Sequence, residues 1–176
     1  MSTAPQTSVD AKAAGIPGQT CGMANPLIEP AVNGETSASI PFGVMVQQSA
    51  QGEVKLLTGG TNKMAGIVVH DNDLNRGTQV DDLGVMIDAM CSIARRWRGY
   101  VLIEVTVAVG DAVRTRHTAT GNEQAGAFRN TADVTDCFNL SSVASWREGG
   151  TASGSPARGV ALLEIDMTNA ALIASD

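Results

Sequence analysis

From Tyr100 to Val109 the chain alternates without interruption. Tyr100, Leu102, Glu104, Thr106 and Ala108 fall on one side, and Val101, Ile103, Val105, Val107 and Val109 on the other. A period of two is that of an extended strand, whose successive side chains point to opposite faces of a sheet. The valine-isoleucine side is β-branched throughout, which suits a pleated surface. Gly110-Asp111 follows as a tight-turn signal and predicts a hairpin, with residues 112–117 returning as the partner strand.

Shorter segments repeat the pattern. Residues 39–47 carry Ile40, Phe42, Val44 and Val46 on alternate positions, Ala50-Gln51-Gly52 reads as a turn, and residues 54–57 and 64–70 read as two further strands. Residues 159–167 read as a last strand, and 128–146 hold one or two short ones. In 83–98, Val85, Met86, Ala89, Met90 and Ile93 approach helical spacing while Ile87 and Ile93 also fit alternation; the neighbouring strands favour a strand. Polar or Gly/Ser-rich loops are expected at 71–82, 118–130 and 149–159. No internal repeat is visible. Many short strands without intervening helices predict an all-β fold, a jelly-roll-like sandwich or barrel.

Residues 1–34 differ from the rest. Pro5, Pro17, Pro26 and Pro30 stand among Gly15, Gly18 and Gly22, a density that argues against helix interiors and central strands. The expected organisation is an extended N-terminal arm, 1–34, followed by one β domain, 35–176. A disordered tail and an arm that orders against a neighbour both fit this composition. Met23, Leu27, Ile28 and Val32 supply the apolar side chains that the second needs.

Aromatic residues make up only 3% of the chain, so each core side chain buries modest area, and a thin sandwich or barrel helped by subunit contacts is expected. The formal charge of −6 argues against general nucleic-acid binding, which needs clustered Lys and Arg. Cys21, Cys91 and Cys137 are odd in number and far apart, which predicts reduced thiols in a cytoplasm. The N-terminus lacks a signal-peptide pattern, and no apolar run has the length of a bilayer span, so a soluble protein with no membrane partner is expected.

Catalytic and ligand motifs are weak. Asp71, Asp73, Asn75 and Asp82 have the spacing of Ca²⁺ loop ligands, but Arg76 stands where the sharp turn needs glycine. His70 and His117 are isolated, no paired cysteines exist, and no nucleophile elbow accompanies Cys91 or Cys137. The expectation is therefore no catalytic residue, no metal and no cofactor. Lys63-Met64-Ala65 precedes the phrase Val107–Val113 instead of following it, contrary to a biotinyl or lipoyl carrier barrel. The one basic-aromatic cluster is Arg95, Arg96, Trp97 and Arg98, residue types favoured at interface hot spots. Together with Met23, Leu27 and Ile28 it is the candidate partner interface. A strand with Trp97 packed inward and the arginines solvated fits the same residues.

The stretch 39–69, with SIPFGVMVQQS, VKLLTGG and MAGIVVH, resembles the structural cement (capsid decoration) proteins of tailed phages. YVLIEVTVAVGDAVRTR, residues 100–116, is similar to the same family's strand closed by Val-x-Val-Gly-Asp-x-Val, and Gly15-Ile16-Pro17-Gly18-Gln19 looks like its early arm. The resemblance implies no catalytic residues. It implies a symmetric homo-oligomer, dimer or trimer, on the outer surface of the virion capsid, with the major capsid protein as partner. The alternatives left open are another virion β protein (a tail or head-fibre component), a carrier-type barrel or a small hydrolase.

Overall fold

In the computed structural model the described residues are 15–59, 63–70, 80–81, 84–133 and 136–168, with 80–81 described by backbone alone. Among them are thirteen strands and no helix. The first five are β1 Leu27–Asn33, β2 Ile40–Pro41, β3 Met45–Ala50, β4 Glu53–Leu56 and β5 Met64–Val69. Next come β6 Val80–Asp81, β7 Gly84–Val85 and the 14-residue β8 Met90–Ile103. Five short strands complete the chain: β9 Arg114–Arg116, β10 Phe128–Arg129, β11 Cys137–Asn139, β12 Ala144–Glu148 and β13 Gly159–Asp166.

β1, β4, β3, β5 and β8 pair in that order, and β8 pairs back to β1, so these five strands close a barrel. All the pairings are antiparallel except β1–β4, which is parallel. Closure removes most of the exposed strand edge that an open sheet would present. Ala31, Val46, Val54, Val68, Cys91 and Ile93, drawn from all five strands, meet in one buried cluster with Phe42. The C-terminal half of β8 leaves the barrel and pairs with β13, which carries β12; β10, β9 and β11 extend from its end. A second cluster there holds Trp97, Val101, Ile103, Phe128, Trp146 and Leu163.

One irregularity lets β8 serve both cores. Its pairing with β1 jumps from Leu27↔Arg96 to Ile28↔Ala94, leaving Arg95 as an extra, bulged residue. A bulge shifts side-chain parity by one. Cys91 and Ile93 accordingly face the barrel cluster, whereas Ala94 and Trp97, three positions apart, share the second cluster with Val101 and Ile103. The near-helical spacing within 83–98 has its origin here: a strand with a parity change.

One expectation is corrected. The hairpin predicted from Tyr100 to His117 does not form. Gly110, at φ 95°, makes the turn, and Asp111 accepts from the Ala108 amide at 2.9 Å, but the strand has ended at Ile103 and β9 pairs with β10 and β11. Val107 bridges Gly150 instead, because Val107 and Val113 are both drawn into the second core while Glu104 turns to two arginines. Within the span expected as an arm, the described residues 15–34 include β1. β1 is a barrel strand; at Pro30 only its β8 edge is paired, since β4 joins only at Val32 and Asn33, and a strand with one free edge tolerates proline. Upstream, the Gly18 amide donates to the Tyr100 carbonyl (2.6 Å), the Tyr100 amide to Gln19 (3.0 Å) and the Cys21 amide to Arg98 (2.9 Å), continuing along the same strand. Gly18 is needed there: its φ is 82°, and a Cβ would lie 2.7 Å from the His70 amide nitrogen.

Candidate functional site

β1 and β8 bring together residues about 70 positions apart. Leu27 pairs with Arg96 across the two strands, so the apolar and basic halves of the candidate interface are neighbours. Met23 and Leu27 are half-buried, and Ile28 is 38% exposed.

The four members of the basic-aromatic cluster have different fates. Trp97 is fully buried, its indole N–H donating to the Thr20 hydroxyl at 3.0 Å, so it anchors the upstream segment and presents nothing to a partner. Arg96 donates twice to the Asn25 carbonyl, at 2.9 and 2.6 Å. Arg98 pairs with Glu164, which Arg147 also holds at 3.1 Å. Hydrogen bonds from Arg147 and then Arg98 keep the Glu164 carboxyl below its ordinary pKa. Arg95, the bulged residue, is half-buried with its Nε enclosed and without an acceptor. The parity of β8 decides this, and no short sequence pattern reveals it.

A second apolar group was not singled out by sequence. Met86, Ile87 and Met90 are 42%, 40% and 53% exposed, on the turn that leads into β8 and at its first residue. Met86 and Met90 fitted the near-helical spacing and Ile87 the alternation within 83–98, so the three were not seen as one group.

The most concentrated charge is an ion-pair network also illegible in the sequence. Arg116, 2% exposed, reaches Glu104 (2.9 Å), Glu123 (2.9 Å) and Asp133 (2.8 Å), and Arg129 reaches Glu104 (2.9 Å) and Asp133 (3.0 Å). Burial opposes the charged guanidinium of Arg116, but bonds to Glu104 and Asp133 and the field of Glu104 and Glu123 outweigh it, raising its pKa. The Arg116 bond is likewise the main cause that lowers the pKa of Asp133. Every charge here has an opposite partner, so the network ties the 118–133 excursion to β8 and β9. It borders a cleft of about 280 Å³ that also takes in Pro156 and Arg158.

The residues weighed for chemistry are dispersed. His70 packs edge-on against Phe42 and His117 against Phe138, each with ring centroids 4.7 Å apart. Burial pushes the Cys91 thiol up to about 12 and also raises Cys137, so both stay protonated and poorly nucleophilic at neutral pH. Among the described residues no group of three or more His, Cys, Asp or Glu could hold a metal ion. The Ca²⁺-like set Asp71, Asp73, Asn75 and Asp82 lies outside the described residues. No helix of the described residues is long and apolar enough to cross a membrane.

The described residues form a closed barrel that shares its longest strand with a second β layer, an all-β fold. Comparison places it further. A family model described as structural cement protein (E217 gp24/Pam3 gp6) matches residues 5–166. The chain belongs to this family of phage structural cement proteins, as its resemblance over 39–69 and 100–116 implied, and its place is the virion capsid, in association with the shell. In fold it is similar to a chain in the solved structure of the capsid of Myoviridae phage XM1. That match has a TM-score of 0.61 and 16% identity, and covers 93% of this chain and 98% of the other. A search of curated proteins found no match.

Proposed function

We propose that this protein binds the outer surface of a tailed-phage head and bridges neighbouring major capsid protein subunits, without catalysis or cofactor. The observation that carries the reading is the cement-family match over nearly the whole chain, from residue 5 to 166. A barrel closed by five strands and joined to a second core through β8 supports it, since a bridging element must resist deformation. Assembly as a homo-dimer or trimer on a symmetry axis is part of the proposal. Several modest contacts made together from one oligomer give an avidity that no single contact has. The candidate contact residues are Met23, Leu27, Ile28, Arg95, Arg96 and Arg98, adjacent on β1, β8 and the segment before β1. Trp97, a core residue, is excluded.

The test is co-sedimentation of the purified protein with expanded, DNA-filled heads stripped of accessory proteins. Saturable binding at a fixed ratio to the shell subunit, with a higher melting temperature of the heads, is the expected result, and the ratio identifies the symmetry axis. A folded protein that leaves such heads unbound would overturn the reading and put a tail component first.

A further inference from the structure

β1 runs past the end of β4: Val32 pairs with Glu53, so Glu29, Pro30 and Ala31 extend beyond the β3–β4 turn. At this end of the barrel a recess of about 180 Å³ opens, walled by Glu29, Gln48, Glu53, Met64, Ile93 and Arg95, among others. Arg95 lines it and is the residue the bulge leaves without a partner on β1, while its carbonyl accepts from the Met167 amide at 2.8 Å. Its Nε is buried and lacks an acceptor, and among the described residues no carboxylate pairs with it. Arg96 and Arg98, its neighbours on β8, are both engaged within the chain. Of the three arginines in the run, Arg95 alone has no side-chain hydrogen bond or ion pair among the described residues.

We infer that this recess is a docking site for a carboxylate side chain of a shell subunit, held by the Arg95 guanidinium. The inference rests on the cement reading and names the contact that reading leaves unspecified. A planar guanidinium fork matches a carboxylate with two parallel hydrogen bonds. Glu29 and Glu53 also line the recess, and two carboxylates against one guanidinium oppose the entry of a further carboxylate, so removing their charge should strengthen its binding. Arg95 stands two positions after Ile93 on β8, and both side chains line the recess.

The experiment measures binding of Arg95→Gln, Arg95→Lys and the double variant Glu29→Gln/Glu53→Gln to heads stripped of this protein, beside the unaltered chain and Arg147→Gln. Arg95→Gln is expected to weaken binding at least tenfold, and Arg95→Lys, which keeps the charge but not the fork, several-fold. The double variant should bind several-fold tighter, and Arg147→Gln within twofold of the unaltered chain. Urea midpoints of all four check folding, and the lysine variant serves if the glutamine variant is unstable. Unaltered protein that fails to bind overturns the cement reading itself. Unaltered protein that binds while folded Arg95 variants bind equally well overturns the docking site alone. Weaker binding by the double variant would mean a basic occupant. A lower oligomer mass for Arg95→Gln with head binding unchanged would mean that a second copy fills the recess. Either result overturns the inference.

Discussion

Two arginines show how differently a buried positive charge can be handled. Arg116 is enclosed yet meets three carboxylates, whereas Arg95 is half-enclosed and meets none among the described residues. Removing Arg116 would strand Glu104, itself 88% buried as a side chain, with Arg129 as its remaining partner. Arg116→Met is therefore expected to destabilise the protein by about 3 kcal/mol, the usual scale for breaking a buried pair from one side. Urea denaturation followed by tryptophan fluorescence checks this. A change within about 0.5 kcal/mol would mean the loops are held by their backbone contacts alone. Nothing in the spacing of Glu104, Arg116, Glu123, Arg129 and Asp133 signals that they converge, since Arg116 and Arg129 lie on the short strands β9 and β10 and the three carboxylates in the segments between strands.

At the scale of the element, β8 organises the molecule. It pairs with β1 on one edge and with β5 and then β13 on the other, and its bulge at Arg95 reassigns its faces from one core to the next. The upstream segment completes the arrangement by bonding to Arg98 and Tyr100 across Gly99. A Cβ on Gly99 would overlap both the Trp97 ring and the Gln19 carbonyl oxygen. Gly99→Ala should thus cost about 2 kcal/mol and push the segment off β8. Limited proteolysis should find new cleavage within residues 15–22; unchanged cleavage and an unchanged urea midpoint would show that the contact is not needed. Strand positions at 64–69 and 159–166 were legible, because alternation or continuous apolar runs survive within them, whereas β8 was split between an ambiguous 83–98 and a separate strand from Tyr100. β1 was not legible, because its prolines disguise a strand that has a free edge at Pro30. The 100–117 hairpin was over-read, because a Gly-Asp turn specifies a reversal of the chain and not the pairing of its flanks.

At the scale of the whole molecule, the acidic balance sets the response to pH. Asp133 is lowered chiefly by the Arg116 bond and Glu164 chiefly by the Arg147 bond. Their folded values lie below their unfolded ones, so their contribution to stability is fully present above the ordinary carboxylate range. It disappears as pH falls through the lowered folded values. Stability is expected to decline below about pH 4. Asp133→Asn should lower the urea midpoint at pH 6 and make the acid decline shallower. An equally steep decline in the variant would place the acid-sensitive groups elsewhere.

By itself the sequence determined the all-β class, the family and the residue types available for contact, because these rest on period-two alternation, turn residues and short phrases local in the chain. Tertiary structure alone decided that the strands close into a barrel and that part of the Pro-containing arm belongs to it. It also decided that Trp97 is core, that Arg116 is the centre of an ion network, and that Arg95 is left unpaired. Each of these depends on register between segments tens of residues apart, and a single bulge in β8 reverses which side chains face inward. Local spacing carries no record of either.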